Sequence, residues 1–112
     1  MKTMGDAAER VAEQYLAKQQ LKTVSRNWRC RLGELDLICR DGETLVFVEV
    51  RSRASSQFGG AADSITPHKQ ARLVAAAQLY LASLGRVPPC RFDAVLLDGD
   101  TPPRWLKNII EL

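Results

Sequence analysis

GELDLICRDGETLVFVEVRSR, running from Gly33 to Arg53, holds two β-rich apolar runs, GELDLICR and TLVFVEVR, on either side of Asp41-Gly42. Asp-Gly between such runs is a strong short-range signal for a hairpin with a two-residue loop. With Asp41 and Gly42 as the loop, the pairing places Leu35 opposite Val48, Asp36 opposite Phe47 and Glu34 opposite Glu49. Period-two alternation then gathers Glu34, Asp36, Ile38, Leu45, Phe47, Glu49 and Arg51 on one face, with Leu35, Leu37, Val46, Val48 and Val50 on the other. Asp36 and Glu49 become diagonal neighbours, their Cα atoms roughly 7 to 8 Å apart.

Two carboxylates at that separation are able to reach one ion between them, with Glu34 as a helper. Hard oxygen donors with room left for water and phosphate describe a Mg²⁺ or Mn²⁺ site rather than a zinc site. Phosphodiester cleavage is the chemistry such a site favours, because the ion activates water and offsets charge on the phosphate. The competing reading is a solvated strand face. Against it, Phe47 and Ile38 share that face, and covered, unpaired carboxylates are costly.

Outward from the hairpin, the apolar residues Ala8, Val11, Ala12, Tyr15 and Leu16 predict an amphipathic helix from Gly5 to Lys18. Glu9 lies at the border of its apolar stripe, whereas Asp6, Arg10 and Glu13 point further toward solvent. A weaker strand is expected from Leu21 to Trp28, leading into a basic connection with Arg26, Arg29 and Arg31. Ala54 to Ser64, rich in Ser, Gly and Ala, reads as a loop. Thr66 as N-cap, Pro67 at the first helical position and Gly85 as the C-terminal residue bound a second helix. Pro88-Pro89 separates it from the strand FDAVLL. The tail WLKNIIEL reads as either a strand or a short helix. A helical crossover between the third and fourth strands favours their parallel pairing, so the expected class is α/β with a mixed sheet.

At 112 residues with 46% hydrophobic composition, the chain suits one domain over 1–112. A net charge of +3 tolerates a polyanionic partner without requiring one. Cys30, Cys39 and Cys90 show no CxxC spacing, and their odd number without a secretory signal points to a reducing, cytoplasmic setting. No apolar run approaches the ~20 residues that span a bilayer, so no membrane partner is expected. Nothing in the sequence opposes a homodimer.

GELDLICRDGETLVFVEVRSR, ITPHKQARL and RFDAVLL together resemble the YraN-like family of bacterial proteins over nearly the whole chain. The resemblance implies the restriction-endonuclease-like, PD-(D/E)XK superfamily, with distant similarity to archaeal Holliday-junction resolvases. It therefore implies a helix-strand-strand-strand-helix-strand core and a nuclease-like domain. Asp36 and Glu49-Val50-Arg51 occupy the acidic and (D/E)-x-K positions of the superfamily pattern. Arg51 departs from it: an arginine does not lose its proton near neutral pH, so it is expected to stabilise charge rather than act as a base. Resolvase-like members bring an acid from the first helix, and Glu9 falls at that place. Lys69 resembles the family's helix-borne lysine and is expected to hold phosphate together with the helix N-terminus.

Arg26, Arg29, Arg31 and Arg53 form a candidate phosphate-binding rim. His68 is a weak candidate for proton transfer, being a lone histidine in a helix's first turn. Trp28 and Trp105 are expected in the core rather than stacked on bases, and Asp93 to reach the site or pair with Arg91. The expected function is a Mg²⁺- or Mn²⁺-dependent endonuclease on DNA, with branched or otherwise abnormal DNA as a candidate substrate. In it Asp36 and Glu49 bind metal, Glu9 assists and Arg51 orients phosphate. The alternative is a nuclease-fold module that binds nucleic acid or a partner without cutting.

Overall fold

The computed structural model describes residues 4–53, 65–99 and 102–110, with side chains from 7–52 and from the latter two segments. The expected loop at 54–64 lies outside the described residues. In chain order the elements are α1 (Met4–Lys18), β1 (Lys22–Cys30), β2 (Gly33–Asp41), β3 (Thr44–Arg53), α2 (Pro67–Leu84), β4 (Cys90–Asp98) and β5 (Arg104–Leu106). The strands form one five-stranded sheet in sequence order. Its β3 and β4 are parallel, as the α2 crossover demands, and the other neighbours are antiparallel. This is a mixed α/β fold of the restriction-endonuclease-like kind. The tail contributes a short edge strand, not a helix.

Each helix covers one face of the sheet. Ala12 and Leu16 of α1 bury against Leu37, Cys39, Val46, Val48 and Val50. On the opposite face Leu73, Ala76 and Ala77 of α2 pack on Leu35, Ile38, Leu45, Phe47 and Phe92. The ends of α2 follow from local chemistry. Thr66 Oγ1 accepts from the Lys69 N–H at 3.3 Å, Pro67 opens the helix and Gly85 closes it with φ of 72°. Burial pushes the Cys39 thiol up to about 11, so it is an inert core group at neutral pH.

The hairpin corrects the expected register. Asp41 pairs with Thr44, so the loop is Gly42-Glu43, and Leu37 faces Val48. Gly42 has φ of 63° as the first loop residue, the position where a II′ turn demands glycine. Placing Gly42 second would have left Asp41 in that role. The shift is two positions, so β3 keeps its expected faces while every cross-strand partner changes. Leu35 is a second correction. It packs with the α2-side cluster although Leu37 packs on the α1 side, so strict alternation fails between them. The basic connection is also shorter than expected, since β1 continues past Trp28 to Cys30 and takes in Arg29.

Candidate metal and phosphate site

The β2–β3 pairing runs from Asp41↔Thr44 to Leu37↔Val48. Continued by one step, that register sets Asp36 directly across from Glu49 rather than diagonal to it. Past this point the Val50 N–H donates to Asp36 Oδ2 at 2.9 Å, a side-chain acceptor where a regular ladder would offer a main-chain carbonyl. The strands thus part at the N-terminal end of β2 and the C-terminal end of β3, and the acids collect in the opening.

From α1, Glu9 reaches the same place, with only 9% of its surface exposed. Carboxylate oxygens of Glu9, Glu34 and Asp36 lie within 4.8 Å of one another. Glu49 is 6% exposed. Its burial, together with a hydrogen bond and charge repulsion from Asp36, pushes its carboxyl up to about 9. In the ion-free protein Glu49 accordingly keeps a proton, which relieves repulsion between the facing acids. Arg51 Nη2 stands 3.4 Å from Glu49 Oε1, and the Arg51 and Lys69 charges act against that upward shift. Arg51 Nε is buried with no hydrogen-bond acceptor among the described residues.

Glu34, Asp36, Glu49, Arg51, Lys69, Arg72 and Leu73 enclose an open cavity of about 220 Å³. Its lining combines acids from β2 and β3 with cations from β3 and α2. Hard oxygen donors grouped this closely fit Mg²⁺ or Mn²⁺ and offer nothing to a thiophilic ion.

The structure brings together Glu9, Asp36, Glu49, Arg51 and Lys69. The arginine rim is more dispersed. Arg26 binds Glu13 of α1 through Nε at 2.8 Å, and Arg29 pairs with Glu34 at 3.6 Å, at the margin of the site. Arg31 is exposed in the turn before β2, while the side chain of Arg53 lies outside the described residues. His68 is exposed and does not line the cavity. Trp28 packs edge-on against Tyr80, and Trp105 against Tyr15, so both rings are engaged within the fold. Asp93 has no exposed surface and takes bonds from Arg91, Trp105 Nε1 and the Asn108 N–H. It is therefore a structural anchor rather than part of the site. Arg72 has no sequence signal of its own beyond its spacing of three from Lys69, which sets both on one helix face.

With this geometry in view, comparison with known proteins gives a consistent answer. The model of the family described as "Uncharacterised protein family UPF0102" matches residues 8–97. A UPF0102 protein of Nitrosospira multiformis is 53% identical over 114 residues, covering 100% of this chain and 96% of its own length. One from Nitrosomonas eutropha is 50% identical, covering 98% of this chain and 95% of itself. One from Cupriavidus taiwanensis is 55% identical, covering 96% and 82% respectively. Similarity across essentially the full chain, joined to the expected motifs in the expected fold, establishes that this chain belongs to the YraN-like UPF0102 family.

Proposed function

We propose that the protein is a divalent-metal-dependent endonuclease that hydrolyses phosphodiester bonds of DNA, branched DNA being one candidate substrate. The observation that carries this reading is the convergence of Glu9, Glu34 and Asp36, whose oxygens lie within 4.8 Å, beside a cavity walled by Arg51 and Lys69. Acids alone in such a cavity would repel a phosphate. Acids with a cation among them and basic groups opposite would attract one.

Asp36 and Glu49 would hold the metal, with Glu9 and Glu34 completing an all-oxygen donor set. When bound, Mg²⁺ or Mn²⁺ supplies Lewis acidity at the phosphate and offsets charge developing there. Val50 contributes by fixing Asp36 through its N–H, at 2.9 Å. Arg51 is held near Glu49 and points its guanidinium into the cavity wall, where it would orient a non-bridging phosphate oxygen. Glu49 would bind a cation as the carboxylate, giving up its proton to water. Lys69, in the first turn of α2, supplies a second positive group.

One observation favours the second reading, a nuclease-fold module that binds nucleic acid without cutting it. Arg51, in the position of the usual lysine, is paired with Glu49 and cannot serve as a proton acceptor. The two readings separate when purified protein is incubated with linear, nicked, single-stranded and four-way DNA, with Mg²⁺, with Mn²⁺ and with chelator. Metal-dependent cleavage lost in Asp36→Asn supports the enzyme. Binding without cleavage under every condition supports the module.

A further inference from the structure

We propose that Arg72 is a second phosphate-binding residue of this site, gripping the nucleic-acid backbone beside the acid cluster, and that Gly33 is the positioning residue that sets it there. The inference rests on the nucleic-acid reading above, but not on catalysis.

Arg72 lines the same cavity as Glu34, Asp36 and Glu49. It stands one helical turn beyond Lys69 on α2, so both residues lie on one helix face and line that cavity. Of its neighbours, Arg29 pairs with Glu34, and Arg51 Nη2 lies 3.4 Å from Glu49 Oε1. Arg72, by contrast, forms no ion pair with a described residue, and it is exposed. A guanidinium that lines a cavity with three carboxylates yet forms no ion pair with a described residue is suited to an incoming anion, and its planar fork matches phosphate through two parallel N–H bonds.

The approach of α2 to the start of β2 explains how Arg72 is brought over the site. A Cβ at Gly33 would lie 3.3 Å from the Arg72 carbonyl oxygen and 3.7 Å from the Cβ atoms of Arg72 and Ala76. The first contact is with helix backbone, which does not swing aside as a side chain would. A side chain at position 33 would therefore shift this turn of α2 by a few tenths of an ångström from β2 and disturb the placement of Arg72, while leaving Thr66 to cap the helix.

The test uses the full chain with a short fluorescent DNA duplex and the matching single strand, titrated over a range of salt in Ca²⁺. Arg72→Gln is expected to bind roughly ten- to a hundredfold more weakly, the loss of one charge-assisted contact. Its log-log salt slope on duplex should be lower by about 0.9, one phosphate contact fewer. Arg86→Gln, the same charge removed beyond the far end of α2, should leave affinity and slope unchanged. Gly33→Ala should weaken binding in the parent but add little in the Arg72→Gln background, a coupling that general loosening of the fold would not produce. Equal slopes for the parent and Arg72→Gln overturn the inference. So does a Gly33→Ala effect that adds fully to that of Arg72→Gln, as far as Gly33 is concerned. If the parent binds but never cleaves in Mg²⁺, the enzyme reading fails and Arg72 stands on its slope. If the parent binds neither probe, both fail.

Discussion

The Val50 N–H donates to Asp36 Oδ2 at 2.9 Å, so the acid at the centre of the candidate metal site also ends the β2–β3 ladder. Its two roles are separable by substitution. Asparagine keeps an oxygen acceptor for Val50 and removes the charge, whereas alanine removes both. Asp36→Asn is expected to leave metal-free stability within about 1 kcal/mol of the parent, and Asp36→Ala to cost about 1–3 kcal/mol for the orphaned donor. Both should lose the Mg²⁺-induced rise in melting temperature. Thermal melts with and without Mg²⁺ check this, and a full Mg²⁺ response in Asp36→Ala would remove Asp36 from the metal site.

Glu49 gives a pH signature. Burial and then Asp36 push its folded-state carboxyl up to about 9, from an ordinary value of 4.5. Between those values the folded protein holds a proton that the unfolded chain has released. The resulting stabilisation is complete below the ordinary value and is lost as pH rises through about 9. Stability of the ion-free parent should therefore decline with rising pH across this window relative to Glu49→Gln. Denaturant melts of the two proteins across the window measure the difference, and parallel curves contradict it. Metal uptake at neutral pH should likewise release a proton from Glu49, read by calorimetry in buffers of different ionisation enthalpy.

The rim arginines should not contribute equally to nucleic-acid binding. Arg26 is held by Glu13, a bond that also keeps the Glu13 carboxyl below its ordinary value. Phosphate must displace Glu13 to use it. Lys69→Gln is expected to reduce the salt slope by about 0.9, one full contact, and Arg26→Gln by clearly less. Equal reductions would show that the Glu13 pair opens on binding. Glu13→Gln, by freeing Arg26, should tighten binding slightly.

Asp93 marks the contrast between an anchor and a site. With no exposure and bonds from Arg91, Trp105 and Asn108, it ties β4 to the tail. Asp93→Ala is expected to cost about 3–5 kcal/mol, the range for removing one partner of a buried ion pair. It should also redden Trp105 emission, because the indole loses its partner and its hold on Tyr15. The Mg²⁺-induced stabilisation should persist in whatever fraction remains folded. Its selective loss would bring Asp93 into the site after all.

Much of this protein was determined by short-range chemistry that a sequence displays directly. Thr66, Pro67 and Gly85 bound α2 because capping and backbone preference act within a few residues. Glu9 was legible beside the apolar stripe of α1 because helical periodicity fixes angle as well as spacing. Asp36, Glu49 and Arg51 were legible as a motif on two adjacent strands, and the chain's family membership follows from the same segments. Tertiary structure decided the rest. Whether Gly42 is first or second in the loop depends on the turn geometry that docks the strands, and that choice moves every cross-strand partner by two positions, so that Leu37 faces Val48. Leu35 leaves its expected face because α2 packs over the start of β2, a contact between segments far apart in the chain. Arg72 enters the site for the same reason: α2 passes so close to Gly33 that an added Cβ there would stand 3.3 Å from the Arg72 carbonyl oxygen, and this turn of helix lines the cavity with the acids. Such distances come from the packing of whole elements, and no local pattern of residues encodes them.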